Sequence, residues 1–164
     1  MNRKVAFFLV LAVASVPLAE APALAQANPR GEAKLTLAGK AVAIEYGRPS
    51  LKGRDMLALA EVGEAWRMGA DAVTRLKTEA DLAFGSAAVP KGEYLLTATK
   101  LAEDKWQLNV TAADKTKVAE VPLTAASLEE SVETFTIDLK GDKDKGTFVM
   151  SWGKKTFSAQ FAAK

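Results

Sequence analysis

The stretch TFTIDLKGDKDKGTFVMSWGKKTFSAQF, Thr134 to Phe161, decides the fold class. Phe135, Ile137 and Leu139 alternate with Thr134, Thr136 and Asp138; Phe148, Met150 and Trp152 alternate with Thr147, Val149 and Ser151; Phe157, Ala159 and Phe161 alternate with Ser158 and Gln160. Strands send successive side chains to opposite faces, so a two-residue apolar period marks a sheet with one buried face. Between the first two runs, the segment 140–146 (KGDKDKG) alternates in charge and is bracketed by glycine, which reads as a solvated turn. Its two Asp lack the further oxygen ligands and closing Glu of a Ca²⁺ loop. Gly153-Lys154-Lys155 is expected to join the last two runs as a tight hairpin.

Working upstream, the same period recurs. Trp106, Leu108 and Val110 face one way, against Gln107, Asn109 and Thr111; Tyr94, Leu96 and Ala98 share a face opposite Leu95, Thr97 and Thr99. Val118 to Leu123 is a weaker strand, and Pro122, which cannot donate to a ladder, places it at a sheet edge or a strand end. Ser127-Leu128-Glu129-Glu130 resembles a helix cap with no helical run behind it, so a single turn is expected there. Val73 to Thr78 and Asp81 to Phe84 read as extended, and Ser86 to Gly92 as a turn. Lys34 to Leu37 and Ala41 to Tyr46 flank Ala38-Gly39-Lys40 as a hairpin. The expectation is an all-β fold, an antiparallel sandwich of about eight or nine short strands, with one long irregular connection near residues 47–72. The absence of long amphipathic helices argues against α/β folds.

With 164 residues, 49% apolar and 26% charged, the chain has the size and composition of one globular domain. Its start reads as a leader. Asn2-Arg3-Lys4 is a basic opening, Val5 to Val16 carries no charge, and Ala23-Leu24-Ala25 offers small residues where a signal peptidase reads them. Cleavage is expected after Ala25, with Ala27 as the alternative. The domain division is then signal peptide 1–25, linker 26–33 and a single β domain 34–164. Val5 to Val16 is shorter than the roughly 20 residues a membrane-spanning helix needs, so the expected address is a periplasm or the medium, with no membrane span after cleavage. Removing Arg3, Lys4 and Glu20 with the leader leaves 20 basic against 19 acidic side chains, without the one-signed field of a nucleic-acid binder.

What is missing narrows the chemistry further. There is no cysteine, which excludes disulfides, thiol catalysis and thiolate metal sites. There is no histidine, which excludes a Ser-His-acid triad and every His-ligated zinc site. An enzyme on this chain would have to use carboxylates, Lys, Tyr or Arg, and neither cofactor nor metal is expected. Asp55, Glu61, Glu64 and Asp71 could supply the two carboxylates of a saccharide hydrolase.

Function is sought between Tyr46 and Ala70, where strand periodicity stops and glycine, proline, cations and aromatics gather. Pro49 biases Arg48 to an extended conformation. Arg48, Lys52, Arg54 and Arg67 offer donors to carboxylates or phosphates, and Tyr46 and Trp66 offer an apolar platform, which reads as a site for a small anionic or saccharide ligand. The architectural reading has the same arginines pairing Asp55, Glu64 or Asp71 to brace the long connection. Both readings stand at this point.

The blocks 46–54 (YGRPSLKGR), 66–70 (WRMGA), 89–94 (VPKGEY), 133–137 (ETFTI) and 151–153 (SWG), in that order, resemble domain-of-unknown-function family 2911 of secreted bacterial proteins, over roughly Lys34 to Phe161. The resemblance implies a secreted single domain and implies no activity. In the family pattern Gly-Ala is usually followed by Asn, a small residue and Thr, whereas this chain has Asp71-Ala72-Val73-Thr74. An acid there would favour a cation or pair with a nearby Arg.

Overall fold

A computed structural model describes residues 28–164; the leader and both cleavage positions lie outside the described residues. Ten strands follow in order: β1 Arg30–Leu37, β2 Lys40–Gly47, β3 Ala65–Trp66, β4 Thr74–Thr78, β5 Leu82–Phe84, β6 Ala87–Val89, β7 Gly92–Ala102, β8 Lys105–Thr111, β9 Lys117–Asp142 and β10 Lys145–Ala163. All strand pairings are antiparallel and belong to one sheet in the order β1-β2-β4-β7-β8-β9-β10-β5-β6, with β3 beside β7. The fold is therefore all-β, as the alternation predicts. Hydrogen bonding links the ten strands into one large sheet that does not close.

The predicted faces hold. Val42, Ile44 and Tyr46 of β2, Leu76 of β4, Leu96 and Ala98 of β7, Trp106, Leu108 and Val110 of β8, Phe135, Ile137 and Leu139 of β9 and Phe148, Met150, Trp152, Phe157 and Phe161 of β10 are all buried in one core. The sheet folds back far enough for its β1/β2 edge to bond the β9/β10 hairpin: the Ala38 N–H donates to the Lys143 carbonyl at 2.7 Å, and the Tyr46 hydroxyl to the Ile137 carbonyl at 3.1 Å. The expected β1/β2 hairpin turns in two residues, Ala38 and Gly39, with φ of 49° and 75° while Lys40 already pairs Leu37, the pair of positive values that matches strand twist.

Four local expectations are corrected. Ser86 to Gly92 is not turn throughout, since Ala87–Val89 is β6, paired with β5. The linker 26–33 is strand from Arg30 onward, with Ala33 already in the core. Ser127-Leu128-Glu129-Glu130 forms no helical turn; it lies inside β9. Gly153-Lys154-Lys155 is no hairpin but an irregularity within β10, which runs on through it. Ser151 pairs Thr136, Gly153 pairs Val132 and Lys155 pairs Ser127, so the β9 side bows outward there. A glycine inside a strand marks a bulge as readily as a turn, and here the partner strand continues on both sides. Pro122 sits where β9 pairs β8 alone and has not yet reached its β10 partners, which begin opposite Thr124, so β9 has a free edge at the proline, as a residue without a donor favours.

The long connection after β2 is present. It touches the sheet through a Ser50–Thr134 bridge, a Val62–Lys100 bridge and the two residues of β3. Along β7, β3 pairs Ala98 and Thr99 while β4 pairs Gly92 to Leu96. The two short strands thus occupy one lane, interrupted by the excursion 67–73.

Candidate functional site

The connection is fastened at its near end. The Leu51 N–H donates to the Glu133 carbonyl at 2.9 Å, the Phe135 N–H to the Pro49 carbonyl at 2.9 Å, and the hydroxyls of Ser50 and Thr134 lie 3.3 Å apart. The seven residues singled out from the sequence divide among three places along this path.

Tyr46 and Trp66 belong to packing. Tyr46 is buried, edge-on to Phe135 at 5.8 Å between ring centroids. Trp66 is half-buried, stacked on Trp152 at 5.7 Å and 14°, with Phe135 at 5.1 Å and Trp106 at 6.2 Å in edge contacts. Because the Tyr46 hydroxyl is a donor satisfied in the interior, Tyr46→Phe is expected to cost about 1 kcal/mol, read as a lower urea midpoint with an unchanged m-value. Arg48 turns inward over Gly31, where a Cβ would lie 2.5 Å from the Arg48 Cδ. Its backbone N–H donates to the Pro29 carbonyl at 2.8 Å and its Nη2 reaches Thr136 Oγ1 at 3.5 Å, while Nε is buried without a partner.

Arg67 and Asp71 sit together on the excursion. Arg67 Nη1 donates to the Asp71 carbonyl at 3.4 Å, and the Asp71 carboxylate accepts the Asn28 N–H at 2.8 Å. Among the described residues, neither Arg48, Arg54 nor Arg67 makes an ion pair with a carboxylate within 4.0 Å. The arginine–acid bracing expected of a purely architectural stretch is thus not how the connection is held; main-chain hydrogen bonds hold it.

Lys52 and Arg54 lie at the third place. Lys52 is exposed with φ of 50°, and its N–H donates to Glu133 Oε1 at 3.0 Å. The Arg54 backbone N–H and Nε both donate to the Leu51 carbonyl, at 3.1 and 3.3 Å. This doubled anchor holds the base of the side chain beside a cleft of about 450 Å³ between the connection and the part of β10 that faces the bowed β9. Its lining includes Arg54, Asp55, Glu133, Lys154 and Lys155 together with Leu51, Leu57 and Trp152. Lys155 donates to Asp104 Oδ1 at 2.7 Å, and that bond holds its ammonium above the usual lysine range. Lys154 is exposed. Asp55 Oδ1 accepts the Ala58 N–H at 3.0 Å.

The cleft brings in Glu133, Lys154 and Lys155, which the sequence reading did not propose as site residues. The only local signal of the two lysines is the glycine before them, which reads as a turn, whereas Glu133 opens the ETFTI block. Of the four acids considered for hydrolysis, Asp55 alone lines this cleft. A second depression, about 400 Å³, lies over β1, β2, β4 and β7 and holds none of the seven candidates; four of its charges are spent on each other, in the pairs Lys34–Glu32 at 2.8 Å and Lys77–Glu93 at 3.3 Å. Among the described residues no group of His, Cys, Asp and Glu is placed to hold a metal, and no helix is long and apolar enough to cross a membrane.

A family model described as "Protein of unknown function (DUF2911)" matches residues 28–161. Neither a curated protein nor a solved structure matches the chain.

Proposed function

The chain belongs to the DUF2911 family, and on that premise we propose that it is an exported, non-catalytic binding module that takes a small anionic or saccharide ligand in the cleft lined by Arg54 and Lys154. The observation that carries this reading is that an anchored Arg54 and the exposed Lys154 line one open cleft with Asp55 and Glu133. Guanidinium and ammonium groups donate to carboxylate, phosphate or hydroxyl oxygens, while Asp55 and Glu133 can accept from sugar hydroxyls and the half-buried Leu57 can meet an apolar face of the ligand. Lys155, already committed to Asp104, contributes charge more than a free donor. Export rests on the basic and apolar leader of residues 1–25, and the near-balanced charge supports no nucleic-acid partner.

Binding is preferred to saccharide hydrolysis because only one of the four candidate acids faces the cleft, and the other carboxylate there, Glu133, accepts the Lys52 N–H. The test is a thermal-shift screen of neutral sugars, sugar acids and small dicarboxylates. At 100-fold the Kd a ligand adds about 2.7 kcal/mol, so a binder should raise the melting temperature by several degrees. Arg54→Ala combined with Lys154→Ala should abolish that rise while leaving the unliganded stability within about 0.5 kcal/mol, as exposed substitutions usually do. A screen in which no such compound shifts wild type overturns the reading.

A further inference from the structure

We propose that the leader is cut between Ala27 and Asn28 and that the α-ammonium group so freed is held by the carboxylate of Asp71. The inference rests on the reading of the first 25 residues as an export leader and prefers the alternative cut, after Ala27, to the one after Ala25. Asn28 brings both its nitrogens to one carboxylate: the main-chain N lies 2.8 Å from Asp71 Oδ2, and Nδ2 3.5 Å from Oδ1. Asp71 is presented for this by a left-handed backbone, φ 63°. The carbonyls around it are held by cations, Arg67 Nη1 on the Asp71 oxygen and Arg30 Nη1 on that of Ala72, each at 3.4 Å. Yet among the described residues no Lys or Arg nitrogen lies within 4.0 Å of the Asp71 carboxylate itself.

In the uncut chain Asn28 offers that carboxylate a neutral amide N–H. Signal peptidase adds water across the Ala27–Asn28 peptide bond: hydroxide joins the Ala27 carbonyl carbon, the C–N bond breaks, Ala27 leaves as a carboxylate and Asn28 keeps an amine that protonates. The contact then becomes a charge-assisted hydrogen bond, shorter and about twice as strong as a neutral one. Ala25-Gln26-Ala27 places small residues where the peptidase reads them. A cut after Ala25 would set the positive charge two residues away and leave Asp71 facing an amide. Because β1 begins at Arg30, the captured terminus would pin the first strand to the 67–73 excursion.

The precursor is expressed whole in a bacterial host, and the exported fraction is analysed by intact mass and N-terminal sequencing. The expected product begins at Asn28. A product beginning at Gln26 overturns this proposal and leaves export standing; a chain that keeps residues 1–27 overturns both. Capture is read separately from melting temperatures of the Asn28 chain and of one extended by Gln26-Ala27, each with and without Asp71→Asn. The extension should lower the melting temperature of wild type by about 1–4 °C, the range of one exposed ion pair in a domain of this size, and should leave that of the Asp71→Asn chain unchanged. Equal losses in both backgrounds overturn the capture.

Discussion

Gly47→Ala is expected to destabilise the domain by about 3 kcal/mol or more, among the largest effects of any single added methyl group here. A Cβ at Gly47 would lie 2.0 Å from the Ala70 oxygen and 2.8 Å from its nitrogen. Those are main-chain atoms, so no side-chain rotation relieves the clash. Across the contact, Gly69 has φ of 140° and a Cβ there would lie 2.7 Å from the Gly47 oxygen. Two backbones meet at this point with no room for side chains, and the contact seats the 67–73 excursion against the end of β2. Gly53→Ala serves as the comparison: its φ is 75° but nothing lies within 4 Å, so its cost is the conformational term alone, about 1 kcal/mol. Urea denaturation of the two variants checks this; equal costs would mean that the backbones do not touch.

The second large effect is expected at Phe135, which is 1% exposed and lies in edge contact with Tyr46, Trp66 and Trp152. Phe135→Ala should cost about 3–5 kcal/mol, the sum of lost transfer energy and the cavity left behind. It should also release the stacked Trp66 and Trp152, visible as a loss of near-ultraviolet circular dichroism. Phe135→Leu, which keeps most of the volume, should cost less than about 2 kcal/mol. A small loss for the alanine variant would show that the aromatic cluster is not the keystone under the connection.

Much of this core could be read from the chain because the relevant residues alternate. Trp106, Trp152, Phe135 and Phe148 announce their faces by the identity of their neighbours, and the connection after Gly47 announces itself by losing the period. The middle of β9 could not be read that way. From Thr124 to Thr134 its side chains are exposed or half-buried on both faces, so no apolar period forms, and the segment is strand because β10 pairs it. Gly153 was ambiguous for the same reason: whether a glycine turns the chain or bulges it depends on a partner strand distant in sequence. Misreading that one residue hid Lys154 and Lys155 from the site. Tyr46 and Arg48 illustrate the opposite limit, since their residue types suit a ligand platform and a buried brace equally well. The register that carries one of them to Ile137 and the other to Thr136 is a property of the whole sheet.

The length of β9 and β10 has a consequence for the order of events as the chain folds. The Ala38 N–H, the Tyr46 hydroxyl and the Leu51 N–H all find their acceptors between Glu133 and Lys143, about ninety positions later. The first hairpin therefore cannot complete its bonds until nearly the whole chain has been made, and contacts of such wide sequence separation slow folding and delay it to the end of synthesis. A polypeptide with this wiring closes the long-range bonds of its first hairpin last.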